Sequence, residues 1–257
     1  MKNIINLENR NLYTYLFNVA VTKGELYKES KIKKNGKIAV IIQARTGSSR
    51  FPNKVLSKIE KKPLIWHVIN RVKKTSGIDQ VVLATTTRNE DKEILKIAKQ
   101  CGISGFAGNS FDVLARYYKC AKKNNVNSIV RVTGDCPIID YSIIEKAVKI
   151  FKKGKYDYVS NISPPTFPDG LDVEVFSFKV LKHMYENAKL KSEREHVTLY
   201  IKNNKQKFRT FNLRNKKNLS HYRWTVDEQV DLKLIKEIYK KMGPALDFGM
   251  SDILKKF

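Results

Sequence analysis

The chain has 257 residues, with 50 Lys and Arg against 25 Asp and Glu, and a formal charge of +25 at pH 7. A hydrophobic share of 42% excludes wholesale disorder and leaves enough apolar material for one large packed domain. No run approaches the roughly 20 consecutive apolar residues of a membrane span.

In chain order, residues 1–36 stand apart as an extension. They carry an amphipathic pattern over 7–21, with Leu12, Tyr15, Leu16 and Val19, followed by the polar run KESKIKKNGK. The opening MKNIINLENRNLYTYLF has no apolar h-region and does not read as a secretory signal. The domain occupies 37–257 and starts with a buried strand over 37–43, KIAVIIQ. Helices are predicted at 64–74, 89–101, 112–124 and 142–153, alternating with strands at 80–84, 103–106, 128–132 and 156–160. The second half reads as strand 173–177, helices 178–187 and 193–202, strands 208–213 and 222–226, and helix 229–242. Such alternation predicts an α/β domain built on a mostly parallel, mixed sheet with helices on both faces, its site at the carboxyl ends of the strands. Cys101, Cys120 and Cys136 are odd in number and form no CxxC pair. A reducing, cytoplasmic compartment is therefore expected, with neither a disulfide framework nor a zinc cluster.

The charge invites a nucleic-acid reading, because lysines that neutralise phosphates release counterions. Of the basic residues, however, 39 are Lys scattered along the chain in company with Asn and Ile, and only 11 are Arg. That pattern predicts a solvated basic surface; a basic nucleic-acid-binding protein on a non-catalytic fold stands as the alternative. The Arg positions are more telling: Arg45, Arg50, Arg88, Arg116, Arg131, Arg194 and Arg223 all fall in or beside loop motifs. Their forked donors suit phosphate and carboxylate.

The first strand runs into Ala44-Arg45-Thr46-Gly47-Ser48-Ser49-Arg50-Phe51-Pro52-Asn53-Lys54. Backbone N–H groups and hydroxyls converge in such a loop, and three cations on it call for a polyphosphate. The pattern is neither GxGxxG nor GxxxxGK[ST]. Arg131-Val-Thr-Gly-Asp135-Cys-Pro places a carboxylate straight after a buried strand, and Thr225-Val-Asp227 places a second at another predicted strand end. A buried carboxylate there needs a cation or hydrogen bonds. Asp227 also precedes a helix, so capping competes with ligation at that residue. Glu193 and His196 share a predicted helix face, without the third ligand or HExxH spacing of a zinc site.

The segment IIQARTGSSRFPNKVL resembles the nucleotide-binding signature of cytidylyltransferases of the acylneuraminate and 3-deoxy-octulosonate type, most closely the branch of spore coat polysaccharide biosynthesis protein F. The resemblance continues in order through VVLATTTRNED, GNSFDVLARYYKCA, RVTGDCPIID, YVSN, TFPDGLDVEVFS, SEREHVTLYI and YRWTVDEQVDLKLIKEIY, covering about 37–242. It implies a glycosyltransferase-A-like, Rossmann-related domain that joins CTP to an acidic sugar or similar anionic acceptor and releases pyrophosphate. The extension over 1–36 departs from the family pattern. By the same resemblance Arg45, Arg50 and Lys54 act on the triphosphate, and Ala44, Gly47, Ser48 and Ser49 bind it. Ala84, Thr85, Thr86, Asp112 and Arg116 stand near cytosine and ribose. Asp135 and Asp227 hold Mg²⁺, for which two protein carboxylates suffice. Asn161, Asp169, Asp172, Glu174, Arg194, Glu195 and His196 are assigned to the acceptor. Asp172 and Glu174 share one face of a strand. The expected partners are CTP, the acceptor and a second copy in a homodimer, with no specific nucleic acid.

Overall fold

The computed structural model describes residues 36–243 and 245–257, so the helix expected at 7–21 lies outside the described residues. The strand β1 (Ile38–Gln43) shows why the fold forms around it. Successive side chains of a strand point to opposite faces. Ile38, Val40 and Ile42 enter one core and Ala39 and Ile41 the other, which is why the strand reads as a continuous apolar run.

After β1 a short hairpin forms from β2 (Lys58–Ile59) and β3 (Lys62–Pro63). Then come α1 (Leu64–Val72), β4 (Gln80–Thr86), α2 (Lys92–Gln100), β5 (Ser104–Gly108), α3 (Val113–Lys123), β6 (Ser128–Thr133) and α4 (Tyr141–Phe151). The second half adds β7 (Tyr158–Ser160), β8 (Glu174–Ser177), α5 (Phe178–Asn187), α6 (Lys191–Glu195), α7 (Leu199–Asn203), β9 (Thr210–Asn212), α8 (Gln229–Met242) and α9 (Met250–Lys256). The seven-stranded sheet has the order β5-β4-β1-β6-β8-β7-β9. β8 pairs antiparallel with both neighbours and the remaining pairings are parallel. Helices α1, α2, α4 and α8 supply the core on one face; α3, α5 and α7 supply the other. The chain leaves β1 toward β4 and β5 on one side and returns as β6 on the other, so a crevice opens beyond the carboxyl ends of β1 and β6.

Two predicted elements differ. The helix expected at 193–202 is two short helices, because the chain turns at Val197, where φ is +30°. The strand expected at 222–226 makes only a single bridge, Arg223 to Asp169. Its apolar residues Trp224 and Val226 are buried as in a strand, but its backbone partners are loops. Trp224 N–H donates to the Asp169 carbonyl at 2.7 Å, and Val226 N–H to the Asp135 carbonyl at 2.9 Å. Gly170, at φ +103°, lets the two segments touch, since a Cβ there would lie 2.6 Å from the Thr225 nitrogen.

Gly134 closes the end of β6 against β1: its N–H donates to the Gln43 carbonyl at 2.8 Å. A Cβ on it would stand 2.7 Å from the Ala44 Cβ and 2.9 Å from the Gln43 oxygen. Gly134→Ala is therefore expected to lower stability by about 1–3 kcal/mol, read as a lower urea midpoint with an unchanged m-value.

The last turns are bound to the first half. Arg71 on α1, fully buried, donates to the carbonyls of Ile139 at 2.8 Å, Phe248 at 2.6 Å and Leu246 at 3.4 Å. Asp140 accepts the Ser142 N–H at the start of α4 and the Met250 N–H at the start of α9, each at 2.8 Å. Among the described residues no helix is long and apolar enough to cross a membrane.

Candidate active site

Beyond β1 the chain folds back on itself around Thr46, whose carbonyl accepts the N–H groups of Ser48 at 2.8 Å and Asn53 at 2.9 Å. Asn53 takes a left-handed conformation, φ 59°, and opens a single 3-10 turn, Lys54–Leu56. This aims Lys54 back at the sheet. Its Nζ lies 2.8 Å from Asp135 Oδ2 and 2.7 Å from Asp227 Oδ1, while Arg50 Nη2 lies 2.9 Å from Asp227 Oδ2. Burial would lower the Lys54 pKa, but the two carboxylates outweigh it and raise the value. Burial likewise works to raise that of Asp227, and Lys54 with Arg50 outweighs it and holds it low. Both groups are charged at neutral pH.

The bond from Val226 N–H to the Asp135 carbonyl brings the two acids together across 92 residues of sequence. Asp227 does not cap α8. The cap is Glu228, and Asp231 Oδ2 accepts the N–H groups of Asp227 at 2.9 Å and Glu228 at 2.8 Å. The Asp227 carboxylate is thus left to cations: Lys54 and Arg50, with Arg223 Nη2 further off at 3.6 Å.

These groups line a cleft of about 330 Å³. Of the residues expected from sequence, Ala44, Arg45, Ser48, Ser49, Arg50, Lys54, Arg116, Asp135, Asp227, Glu195 and His196 line it. Gly47 is exposed beside Arg88. Ala84 gives its carbonyl to the Ala44 N–H at 3.1 Å. Thr85 is buried, and the Thr86 hydroxyl donates to Asp91. Asp112 caps α3 through the Ala115 N–H at 2.8 Å and pairs with Arg194, so each of these two expected substrate ligands holds the other. Arg116, although in the cleft, gives its Nε and Nη2 to the Asn109 carbonyl.

The acceptor assignments divide in the same way. Asn161 is buried and bonds the backbone of Leu171 and Val173, each at 2.8 Å. Asp169 is exposed as a residue but its carboxyl is partly shielded, and that partial burial together with neighbouring acids raises its pKa against the pull of Arg223. Asp172 is pushed up to about 7 by burial, with Asp169 and Glu174 adding to it. Glu174 is 1% exposed. It stands directly opposite Arg131 in the β6–β8 register, pairs with it, and also accepts from the hydroxyls of Tyr158 and Thr198. Glu174 therefore holds a cation that faces the cleft. Burial works to raise its pKa, and Arg131 with the hydroxyls keeps it low.

Sequence reasoning singled out Arg131 among the telling arginines but gave it no place in the site, and it missed Gln43, Val55, Val113, Thr133 and Gly134 as cleft residues. Arg131 carried a signal as a charge inside an apolar strand, and Thr133 and Gly134 as members of the same carboxylate motif; the others carried none. The cleft combines the loop cations Arg45, Arg50 and Lys54 with an Arg131 already neutralised by Glu174, an arrangement that suits a polyphosphate joined to a less charged group.

Residues 39–251 match the cytidylyltransferase family. The solved structure of a cytidylyltransferase from Leptospira borgpetersenii superposes with a TM-score of 0.83 at 32% identity, covering 86% of this chain and 94% of that one. An uncharacterized protein of Methanocaldococcus jannaschii, MJ1063, is 39% identical over 206 residues, which is 79% of this chain and 84% of its own. Spore coat polysaccharide biosynthesis protein SpsF of Bacillus subtilis is 30% identical over 226 residues, 84% of this chain and 92% of its own. A match running almost from β1 to the last helix, with relatives this similar over most of both chains, means that this chain belongs to the cytidylyltransferase family of nucleotidyltransferase enzymes.

Proposed function

We propose that the chain transfers CMP from CTP to an acidic sugar, or to a related phosphorylated or phosphonate acceptor, in the synthesis of surface polysaccharide or glycan precursors. The observation that carries this reading is the meeting of Asp135 and Asp227 at Lys54, beside a loop that brings Arg45 and Arg50 to the same cleft. An acceptor oxygen, already ionised in a phosphate or phosphonate and losing its proton to solvent where it is a hydroxyl, forms the new bond to the α-phosphorus, the α–β anhydride bond breaks, and pyrophosphate leaves with its electron pair. Arg45, Arg50 and Lys54 hold the triphosphate and take up the charge that builds on the leaving group. Glu195 and His196, which also line the cleft, face the acceptor, while Glu174 and Arg194 hold Arg131 and Asp112 in place.

Mg²⁺ is the proposed metal. Two carboxylate oxygens already converge on one cation, the Lys54 ammonium, and an all-oxygen donor set of one or two acids completed by phosphate and water fits this ion. When bound between Asp135 and Asp227 it would supply charge neutralisation to the phosphates. The name of the SpsF relative supports the polysaccharide setting. The nucleic-acid alternative draws no support from the aromatic side chains near Arg194: Tyr118 stacks on Phe178 and Tyr185, so the ring faces cover one another.

CTP with Mg²⁺ is expected to stabilise the protein more than ATP, GTP or UTP. At a hundredfold excess over Kd the gain is about 2.7 kcal/mol, a rise in Tm of roughly 5–10 °C for a domain of this size. Equal shifts with all four nucleotides would remove the base preference. Pyrophosphate release, followed across candidate acid-sugar and phosphonate acceptors, tests the transfer itself; release with none of them would overturn it.

A further inference from the structure

Asp91 was absent from the expected site, yet it is 1% exposed and its carboxylate is fully engaged. Oδ1 accepts both the Thr46 N–H and the Thr46 hydroxyl, each at 2.7 Å, and Oδ2 accepts the Thr86 hydroxyl. An aspartate at a helix start ordinarily caps the helix. Asp91 stands at the N-cap of α2 and its side chain makes no capping bond; it turns to the loop beyond β1 instead. Burial works to raise its pKa, and the bonds from Thr86 and Thr46 with the charge of Arg116 outweigh burial, so it is an anion.

Thr46 is the hub of the loop. Its donors go to Asp91, and its carbonyl gathers Ser48 and Asn53, the residue that starts the Lys54 turn. Arg45 is its neighbour in sequence and Gly47 follows it. A single buried carboxylate therefore fixes the backbone from which the loop cations project. A negative charge behind an anion-binding loop opposes the ligand electrostatically, so its benefit has to come through geometry.

We propose that Asp91 is a positioning residue for CTP: through Thr46 it locks residues 44–54 in the conformation that sets Arg45, Ser48 and Lys54 around the triphosphate. The proposal rests on the reading of this loop as the triphosphate site. Removing the lock lets the loop sample other conformations, and CTP binding then has to restore one of them.

The test measures binding of CTP by calorimetry and of cytidine, which has no phosphates, by ligand-observed NMR, both with Mg²⁺. The proteins are wild type, Asp91→Ala, Asp91→Asn and Thr46→Val, each with its urea midpoint. Asp91→Ala is expected to weaken CTP by about tenfold or more, the equivalent of 1.4 kcal/mol, and to leave cytidine within about twofold. Asp91→Asn, which still accepts from Thr46, is expected to restore most of the CTP affinity, and Thr46→Val to fall between. A general loss of structure would lower both affinities together, so equal losses, or no loss, overturn the proposal. Should Asp91→Ala fail to fold, the same comparison on Asp91→Asn and Thr46→Val decides: loss confined to CTP in Thr46→Val supports the lock, and equal affinities for both ligands relative to wild type overturn it. Wild-type protein that binds cytidine as tightly as CTP would instead overturn the triphosphate reading, and the Asp91 proposal with it.

Discussion

Asp135→Asn and Asp227→Asn are each expected to lower kcat by about 10²–10³-fold, the scale on which removing one preorganised charge contact acts in a water-poor site. The urea midpoint should move little, because each side chain is partly exposed and Lys54 retains one carboxylate partner in either variant. Since both acids converge on one cation position, the double variant should be little worse than either single one. Pyrophosphate release at saturating CTP reads the effect. Strictly multiplicative losses would mean independent roles, and near-normal turnover in Asp227→Asn would reduce that residue to its structural ion pairs with Arg50, Lys54 and Arg223.

Glu174→Ala should cost about 3 kcal/mol, because the largely buried guanidinium of Arg131, which borders the cleft, loses its counter-charge. Replacing both partners, as in Arg131→Met with Glu174→Leu, should recover much of that loss, since well-packed apolar groups can substitute for a buried ion pair. Urea titration of the three variants checks this. The pH dependence has a definite sign. The folded carboxyl of Glu174 titrates below its ordinary value of 4.5, so its contribution is complete above that value and disappears as the pH falls through the lower, folded one. The difference between wild type and Glu174→Ala should therefore narrow in acid.

What the sequence disclosed follows from which interactions are local. β1 was legible because a strand buried on both faces must be apolar throughout, and the loop after it because its cations are contiguous in the chain. The β2–β3 hairpin was not, since Glu60 and Lys61 adopt positive φ (44° and 66°) without the Gly or Asn that signals such a turn. The start of α9 was hidden as well: the acid that receives its first N–H, Asp140, is 110 residues away. In the site, the Arg131–Glu174 and Asp112–Arg194 pairs span 43 and 82 residues. Charge pattern suggested ligands at these positions, whereas three-dimensional pairing gives the charges to one another. The meeting of Asp135 with Asp227 was anticipated because each follows an apolar segment that ends at the same edge of the sheet. The segment before Asp227 nevertheless reaches that edge as a loop bound to another loop, and alternating apolar residues could not distinguish the two.

The Arg71 contacts bear on how this chain matures. A guanidinium on the first helix after the site loop is satisfied by carbonyls 68, 175 and 177 residues further on. While the polypeptide is being made, the amino-terminal half therefore holds a buried-to-be cation with its partners still unsynthesised. Native packing on that face of the sheet is completed only when the segment carrying Leu246 and Phe248 docks on the first helix, a closure of high sequence separation that comes late in folding.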